Sequence, residues 1–307
     1  MSGTITEITG IKIGHFTDSA AGTGCTVVLL ENGAAAGVDV RGAAPGTRET
    51  DLLRGYNAVD RIQAVLLTGG SAYGLDAAGG VMRYLEERGL GTDVGVGVVP
   101  IVPAAVIFDL AYGSATVRPG AAEGYEACLN ASREGVRWGS VGAGTGATFG
   151  KAFGLEYMDK GGVGTRCITL DGGVKVGAVA VVNALGNVYD PQTGRILGGA
   201  SRNGEYLPFM DGESEMRVSP AVGNTTIGVV ATNAALSREQ ANKLASMAHD
   251  GLAMTIRPVH TALDGDTFFA VSTGEIRGAE FMPVMVAAVN AAAGAVIHAV
   301  RAARGEG

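Results

Sequence analysis

Several runs of β-branched and small apolar residues constrain the fold of this chain most strongly. Residues 25–30, 64–68, 174–182 and 225–231 are nearly continuous runs of this kind, without the alternation of a strand that has one face in water. Such runs are typical of strands that are buried on both faces. They occur in groups between longer helical patterns, and this order predicts layered α+β or α/β packing with both sheet faces covered.

The glycine content agrees with this layered fold. Fifty of the 307 residues are glycine, more than twice the usual share of about 7%. The glycines have no three-residue period, which excludes collagen, and they stand among Val, Ile and Ala. They therefore indicate tight turns and closely packed layers rather than a disordered linker. The chain is 47% hydrophobic and 17% charged, so it can bury a large core.

Charge and cysteine usage exclude several classes of function. A net charge of −7 and a pI near 5.2 argue against nucleic acid or an anionic membrane as the main partner. Cys25, Cys128 and Cys167 have no C-x-x-C spacing, so we expect buried thiols rather than disulfides or a zinc site. The N-terminus has no secretory pattern, and the apolar window at 94–110 is broken by two prolines. We therefore expect a cytoplasmic protein with no membrane partner.

Local patterns predict the elements of the fold. Asn32-Gly33 is a hairpin-turn signal between two short strands, and Ser237 with Gln240 forms a capping box at the start of a helix. A polar segment without periodicity predicts a long exposed loop at 185–223. We expect strands at 5–13, 25–31, 34–40, 64–68, 161–170, 174–182 and 225–233, and helices at 75–89, 121–134, 237–252 and 287–303.

Thr225 and Thr226 stand where the loop meets a buried strand. They are ordinary strand threonines in one interpretation. In the other, the bond before Thr225 is cut, and the freed α-amine accepts the proton of the adjacent hydroxyl. An α-amine with a pKa of roughly 7.7–8.0 suits a base that works near neutral pH.

Other polar residues are candidates with open alternatives. The loop at 41–51 is either a solvated surface loop or the wall of a site in which Arg41 and Arg48 hold a carboxylate. The loop at 142–151 lacks the spacing of a phosphate-binding loop, which leaves Lys151 as a cation on glycine-rich backbone. Asp264 and Asp266 fail the calcium-loop pattern, so we predict that they share a proton or orient a base rather than bind metal. The histidines His249 and His298 are predicted to lie on helix faces.

Five separated motifs, taken in order, resemble the DmpA-like aminopeptidase family. These hydrolases use an N-terminal nucleophile, and the group includes the nylon-oligomer hydrolases. The motifs are GAAPGTRETD (42–51), LTGGSAYGL (67–75), GAG (142–144), GNTT (223–226) and DGDT (264–267). The resemblance covers roughly residues 8–300, and five motifs in order are more specific than any one of them.

The resemblance implies a four-layer αββα sandwich of the type shared with ornithine acetyltransferase. It further implies a homo-oligomer, for which we expect a tetramer or larger. We expect no cofactor and no metal. A single catalytic domain, 1–307, would be cut at the bond between Asn224 and Thr225 into an α chain 1–224 and a β chain 225–307.

Roles carry over by position. Thr225 resembles the family's nucleophile, Asn183 its oxyanion donor and Lys151 an active-site cation, while Asp264 and Asp266 match the pair that surrounds the nucleophile and its amine. The Asp-x-Asp form and the threonine look more like the nylon-oligomer branch. Phe108 and Tyr73 are the expected substrate contacts, and Phe108 stands where many members carry a tyrosine.

The implied activity is hydrolysis of a peptide or a small peptide-like amide, including a 6-aminohexanoate oligomer. Two alternatives stay open at the level of the sequence. One is an acyltransferase of similar self-cleaving design, in which an amine replaces water. The other is a binding protein that keeps the fold without being cut.

Overall fold

Two β-sheets lie face to face between two pairs of helices in the computed structural model, which describes residues 3–55, 57–209 and 223–306. The first sheet contains β1, β2, β4, β7 and β3, and the second contains β10, β11, β16, β18 and the end of β2. Helices α1 and α2 cover the first sheet, and α3 and α4 cover the second. The four-layer αββα sandwich is confirmed.

The described elements follow one another in this order. The strands are β1 Ile11–Asp18, β2 Thr23–Val40, β3 Thr47–Arg48, β4 Ile62–Thr68, β5 Thr92–Asp93, β6 Val98–Val99, β7 Ala104–Val106, β8 Thr148–Phe149, β9 Asp159–Lys160, β10 Val163–Thr169, β11 Lys175–Asn183, β12 Asn187–Tyr189, β13 Ile196–Gly198, β14 Ser201–Arg202, β15 Glu205–Tyr206, β16 Thr225–Ala234, β17 Ile256–Arg257 and β18 Thr267–Ile276. The helices are α1 Ala77–Glu86, α2 Ala121–Leu129, α3 Arg238–Thr255 and α4 Phe281–Ala303.

The long strand β2 joins the two sheets. Its first part pairs with β1 and β4, and its last part, from Ala35 to Val40, pairs with β18. The predicted hairpin at Asn32-Gly33 is wrong. Gly33 has a φ of +64° and lies in an irregular part of the pairing with β4, between Leu29 and Ala34. From Ala35 onward the strand pairs with β18 of the second sheet instead.

Three of the four apolar clusters in the described residues lie at the three interfaces between layers. The central core lies between the sheets and contains the odd-numbered residues Ile227, Val229 and Ala231 of β16. On the other face of that strand, Val230 packs with α3 and α4. Cys25, on the outer face of the first sheet, packs with α1 and α2. The continuous apolar runs in the sequence therefore result from burial on both faces, as predicted.

The helices agree with their predicted positions better than the N-terminal strand and the loop do. Ser237 caps α3, and its hydroxyl accepts the Gln240 N–H as expected. A 3₁₀ turn, Ile5–Glu7, replaces the first half of the strand predicted at 5–13. The loop predicted at 185–223 is partly wrong, because β12 to β15 occupy its first half; its part at 210–222 lies outside the described residues.

Helix α4 is long and apolar enough to span a membrane, and it is the one such helix in the described chain. Its composition also fits a helix in the outer layer of the sandwich, where Val284, Ala288 and Val296 are buried against the second sheet. The three cysteines are buried and free, as the sequence predicted.

Close packing between backbone atoms explains part of the glycine content. A Cβ atom on Gly164 in β10 would lie 2.2 Å from the backbone nitrogen of Ala299 in α4. Gly79 on α1 is exposed, and a Cβ there would have nothing within 4 Å. One glycine is required by the contact between layers, whereas the other is a helix residue with no packing role.

This difference predicts opposite effects of one substitution. Gly164→Ala should lower the free energy of unfolding by about 1–3 kcal/mol or more, because the added methyl group displaces α4 from the sheet. Gly79→Ala should raise it by up to about 1 kcal/mol through helix propensity. Thermal unfolding of both variants beside the wild type checks this. A Gly164→Ala variant that melts as high as Gly79→Ala would contradict the packing account.

Candidate active site

The first residue of β16, Thr225, lies between two other strands of the second sheet. Asn183, the last residue of β11, is its direct partner in the antiparallel register, and β18 runs parallel on the other side. Directly opposed side chains project from the same face of a sheet. The structure therefore places Thr225 and Asn183 side by side, whereas the side chain of Thr226 is on the opposite face.

Lys151 fixes the orientation of the Asn183 side chain. Its ammonium group is buried and donates to the backbone carbonyl of Asn183 at 3.2 Å and to Oδ1 at 3.0 Å. The N–H of Thr148 donates to the same Oδ1 at 3.0 Å, and Asn183 Nδ2 donates to the carbonyl of Phe108 at 3.1 Å. Two donors identify Oδ1 as the acceptor, so the amide nitrogen keeps one further N–H for another partner.

Burial controls the electrostatics of Lys151. Loss of hydration lowers the pKa of its ammonium group to about 7. The negative charges of Asp264 and Asp109 raise this pKa, but their effect is smaller than that of burial. Asp109 is itself buried and accepts from the Thr23 hydroxyl and from the Gly70 N–H, each at 2.7 Å. Burial raises the pKa of Asp109. Both charges therefore lie in a water-poor region, where a fixed charge acts strongly on its neighbours.

The carbonyl group of Asn224 has two donors around it. The Thr225 hydroxyl donates to its oxygen, and the Gly265 N–H donates to the same oxygen at 2.8 Å. A Cβ atom on Gly265 would lie 2.7 Å from the carbonyl oxygen of Ala44 and 3.0 Å from Thr225 Oγ1. Glycine at 265 therefore permits the close approach of its own N–H to the peptide bond before Thr225.

Asp266 is fully buried and binds the backbone next to Thr225. Its Oδ1 accepts the Thr226 N–H at 2.6 Å. Its Oδ2 accepts the backbone N–H of His260 at 3.0 Å and lies 2.8 Å from Nδ1 of the same residue. The carboxylate thus connects the start of β16 to the loop before β18.

Asp264 is held separately by the same loop. Its Oδ2 accepts the N–H of Thr261 at 2.9 Å and the Thr261 hydroxyl at 2.5 Å. Burial, with the neighbouring charge of Asp266 as the second cause, raises the pKa of Asp264 to about 6. Each carboxylate therefore has its own donors, and burial favours the protonated form of Asp264.

The loop at 41–51 lines this region through its backbone. The N–H of Ala44 donates to the carbonyl of Asp264 at 2.9 Å. The side chain of Arg41 binds Asp39 and Ser246, and that of Arg48 donates to the sulfur of Met82. The interpretation of the loop as the wall of a site is supported, but both arginines are engaged by protein groups.

The two predicted substrate contacts have different positions. Phe108 lines a narrow cavity of about 10 Å³ together with Thr148, Lys151 and Leu155, next to Asn183. Tyr73 is 59% exposed, and the guanidinium group of Arg118 lies 3.9 Å from its ring centroid. The structure thus brings Phe108 to the site and leaves Tyr73 at the surface.

Sequence reasoning did not single out four residues that the structure adds to the site. Thr148, His260, Thr261 and Gly265 each donate to a predicted site residue or to the Asn224 carbonyl. The position of Gly265 between two aspartates was the one visible signal. In the described part of the chain, no group of three His, Cys, Asp or Glu side chains is arranged to hold a metal ion.

Comparison with solved structures identifies the fold. The chain matches the L-aminopeptidase D-Ala-esterase/amidase of Ochrobactrum anthropi, described as a variant of the Ntn-hydrolase fold, with a TM-score of 0.73 and 20% identity over 99% of this chain and 88% of that one. It matches a β-aminopeptidase of Burkholderia sp. with a TM-score of 0.69 and 23% identity, over 98% and 88%. The fold is that of the Ntn hydrolases.

The family is defined by sequence. The model of peptidase family S58 matches residues 3–306, and the chain belongs to this family. An uncharacterized aminopeptidase of Mycobacterium tuberculosis is 48% identical over 301 residues, which cover 89% of this chain and 82% of the relative. A 6-aminohexanoate-oligomer endohydrolase of Agromyces sp. is 35% identical over 277 residues, which cover 88% and 75%. The resemblance drawn from the five motifs is confirmed, and the protein is an amide hydrolase by family.

The raised pKa of Asp264 predicts a pH dependence of stability. A carboxyl whose pKa rises from 3.8 to about 6 on folding binds its proton more tightly when folded, so stability falls as the pH rises through that window, by about 3 kcal/mol in total. Asp264→Asn cannot titrate. We therefore compare the difference in melting temperature, variant minus wild type, at two pH values. This difference should be roughly 5 °C larger at pH 7 than at pH 4.

Thermal unfolding at both pH values checks this, with Asp76→Asn as the control because Asp76 is exposed. The difference in melting temperature between Asp76→Asn and the wild type should not change with pH. An Asp264→Asn difference that is flat, or smaller at pH 7, would contradict the assignment of the raised pKa to this carboxyl.

Proposed function

We propose that the protein cuts its own chain between Asn224 and Thr225 and then hydrolyses amides with the new N-terminal threonine as the nucleophile. The observation that carries this proposal is the contact of the Thr225 hydroxyl with the Asn224 carbonyl, which also accepts the Gly265 N–H at 2.8 Å. A hydroxyl and a polarising donor thus converge on one peptide bond. This bond lies at the start of a buried strand, next to the family's expected oxyanion donor Asn183.

In the cleavage step, Thr225 Oγ1 attacks the carbonyl carbon of Asn224. The hydroxyl proton passes to the departing nitrogen, the C–N bond breaks, and an ester joins Asn224 to the Thr225 side chain. Water then hydrolyses the ester and leaves a carboxylate on Asn224 and a free α-amine and hydroxyl on Thr225. The Gly265 N–H is placed to stabilise the negative charge that develops on the carbonyl oxygen.

In the turnover step, the same hydroxyl attacks a substrate amide. The α-amine of Thr225 accepts the hydroxyl proton and gives it to the leaving amine, and water releases the acyl group from the ester intermediate. The remaining N–H of Asn183 serves as the oxyanion donor, held in place by Lys151 and Thr148. Asp266 fixes the backbone after the nucleophile through the Thr226 N–H.

The substrate class follows from the relatives. They are named an aminopeptidase and a 6-aminohexanoate-oligomer endohydrolase. Both names describe hydrolysis of an amide bond in a peptide or a peptide-like chain. We therefore propose a peptide or a peptide-like amide as the substrate.

Substitutions at the two threonines test the proposal. Thr225→Ala should abolish self-cleavage and lower turnover by a factor on the order of 10⁴ or more, because one hydroxyl serves both steps. Thr225→Ser should keep both at altered rates, since it loses only a methyl group. Thr226→Ala is the matched control: its hydroxyl has no hydrogen-bond partner among the described residues, and its N–H to Asp266 is retained.

The measurements are gel electrophoresis for cleavage and hydrolysis of amino-acid p-nitroanilides and 6-aminohexanoate oligomers for turnover. Thr226→Ala should behave as the wild type does. If Thr225→Ala still cleaves and turns over substrate while Thr226→Ala does neither, the nucleophile is Thr226 and the mechanism has to be rebuilt around it.

A further inference from the structure

A histidine in a sparsely populated backbone conformation precedes β18. His260 has a φ of +56°, a positive value that few residues other than glycine adopt, although asparagine, aspartate and histidine do so more often than the rest. Such a conformation is unfavourable and persists only where the surroundings hold it. Here the conformation directs two groups of one residue, the backbone N–H and ring Nδ1, to the same atom, Oδ2 of Asp266, at 3.0 and 2.8 Å.

The other oxygen of that carboxylate reaches the reaction site. Asp266 Oδ1 accepts the N–H of Thr226, the residue directly after the proposed nucleophile, at 2.6 Å. Because a carboxylate is planar and rigid, two donors that fix Oδ2 also fix the position of Oδ1. His260 and Thr226 are therefore connected through a single buried group, although they are far apart in the chain.

A second histidine ring packs against the His260 ring. The ring of His249 in α3 lies 4.8 Å away, centroid to centroid, at an angle of 69°. His249 Nε2 lies 3.0 Å from the carbonyl oxygen of Asp39, and burial lowers the pKa of His249 to about 4, so this ring is neutral and carries its proton on Nε2. His249 is therefore a neutral neighbour that packs edge to face with the His260 ring.

The tautomer of His260 follows from its contacts. Nδ1 faces the Asp266 carboxylate, which can only accept, whereas Nε2 has no hydrogen-bond partner in the described part of the chain. The proton therefore belongs on Nδ1, and the ring donates to Asp266. The buried Oδ2 accepts from two groups of His260, the ring and the backbone N–H. If the ring is removed, only the backbone N–H of these two is left.

We propose that His260 is a positioning residue for catalysis. It orients Asp266 so that Oδ1 holds the Thr226 N–H, and through this peptide group it sets the direction of the Thr225 hydroxyl in both self-cleavage and turnover. This inference rests on the proposed role of Thr225. A misplacement of a reacting group by about 1 Å can lower a rate on the order of 100-fold, so loss of the ring has a measurable effect.

Two variants separate the hydrogen bond from the backbone conformation. His260→Gly adopts a positive φ without strain but has no side chain. His260→Asn tolerates the same φ, and its side-chain nitrogen is as many bonds from the backbone as Nδ1. His260→Gly should therefore lower kcat and the rate of self-cleavage by roughly 10–100-fold with little change in KM. His260→Asn should restore both to within about fivefold of the wild type.

The rates are normalised to the cleaved fraction, and melting temperatures are measured beside them. If His260→Gly melts below the assay temperature, the wild type and both variants are assayed at a lower temperature, at which all three are folded. His260→Gly should remain the slowest of the three there.

Three results would overturn the inference. The first is a His260→Gly variant with the kcat of the wild type. The second is a folded His260→Asn variant that is as slow as His260→Gly. The third is a His260→Gly variant in which only KM changes. Thr225→Ala is assayed in parallel to separate the two proposals. Cleavage and turnover by Thr225→Ala would contradict the proposed function itself, whereas an inactive Thr225→Ala beside a fully active His260→Gly removes the positioning role alone.

Discussion

The start of β16 is held between the end of β11 and the loop before β18, and the candidate site depends on this arrangement. Antiparallel pairing with β11 sets Asn183 opposite Thr225, and parallel pairing with β18 brings the Asp264–Asp266 segment to the same end of the sheet. A shift of one residue in either register would turn Thr225 toward α3 and α4. The closely packed cores on both faces of the sheet oppose such a shift.

Burial of charge is the second constraint. Lys151, Asp109, Asp264 and Asp266 are all at most 4% exposed, and charged groups in such positions are stable only when they have partners. Their partners are mostly backbone groups of the surrounding loops and the Asn183 amide. The charges therefore hold the loops in place while the loops fix the charges, and this arrangement leaves little freedom for the groups that surround the Thr225 hydroxyl.

Much of the fold was predictable because its signals are local. Continuous apolar runs predicted buried strands, and the capping box at Ser237 predicted the start of α3. The prediction of a hairpin at Asn32-Gly33 was wrong. The same two residues can form a bend within one strand when the flanking residues pair with strands from elsewhere in the chain. The first half of the loop predicted at 185–223 forms short strands whose pairing is tertiary.

The candidate site was predictable only in part. Thr225 and the two aspartates came from motifs, and Asn183 and Lys151 came from the family resemblance by position. The structure brings them together. His260 had no such signal, because its role depends on a backbone conformation and on a contact six residues away. Contacts of this kind do not follow from local composition.

Intact mass of the active, purified protein, together with N-terminal sequencing, tests the central claim most directly. The account predicts two chains that remain together, one of residues 1–224 and one of residues 225–307 that begins with threonine. A single chain of 30.9 kDa that hydrolyses amides at the full rate, with only the natural N-terminus detected, would contradict it.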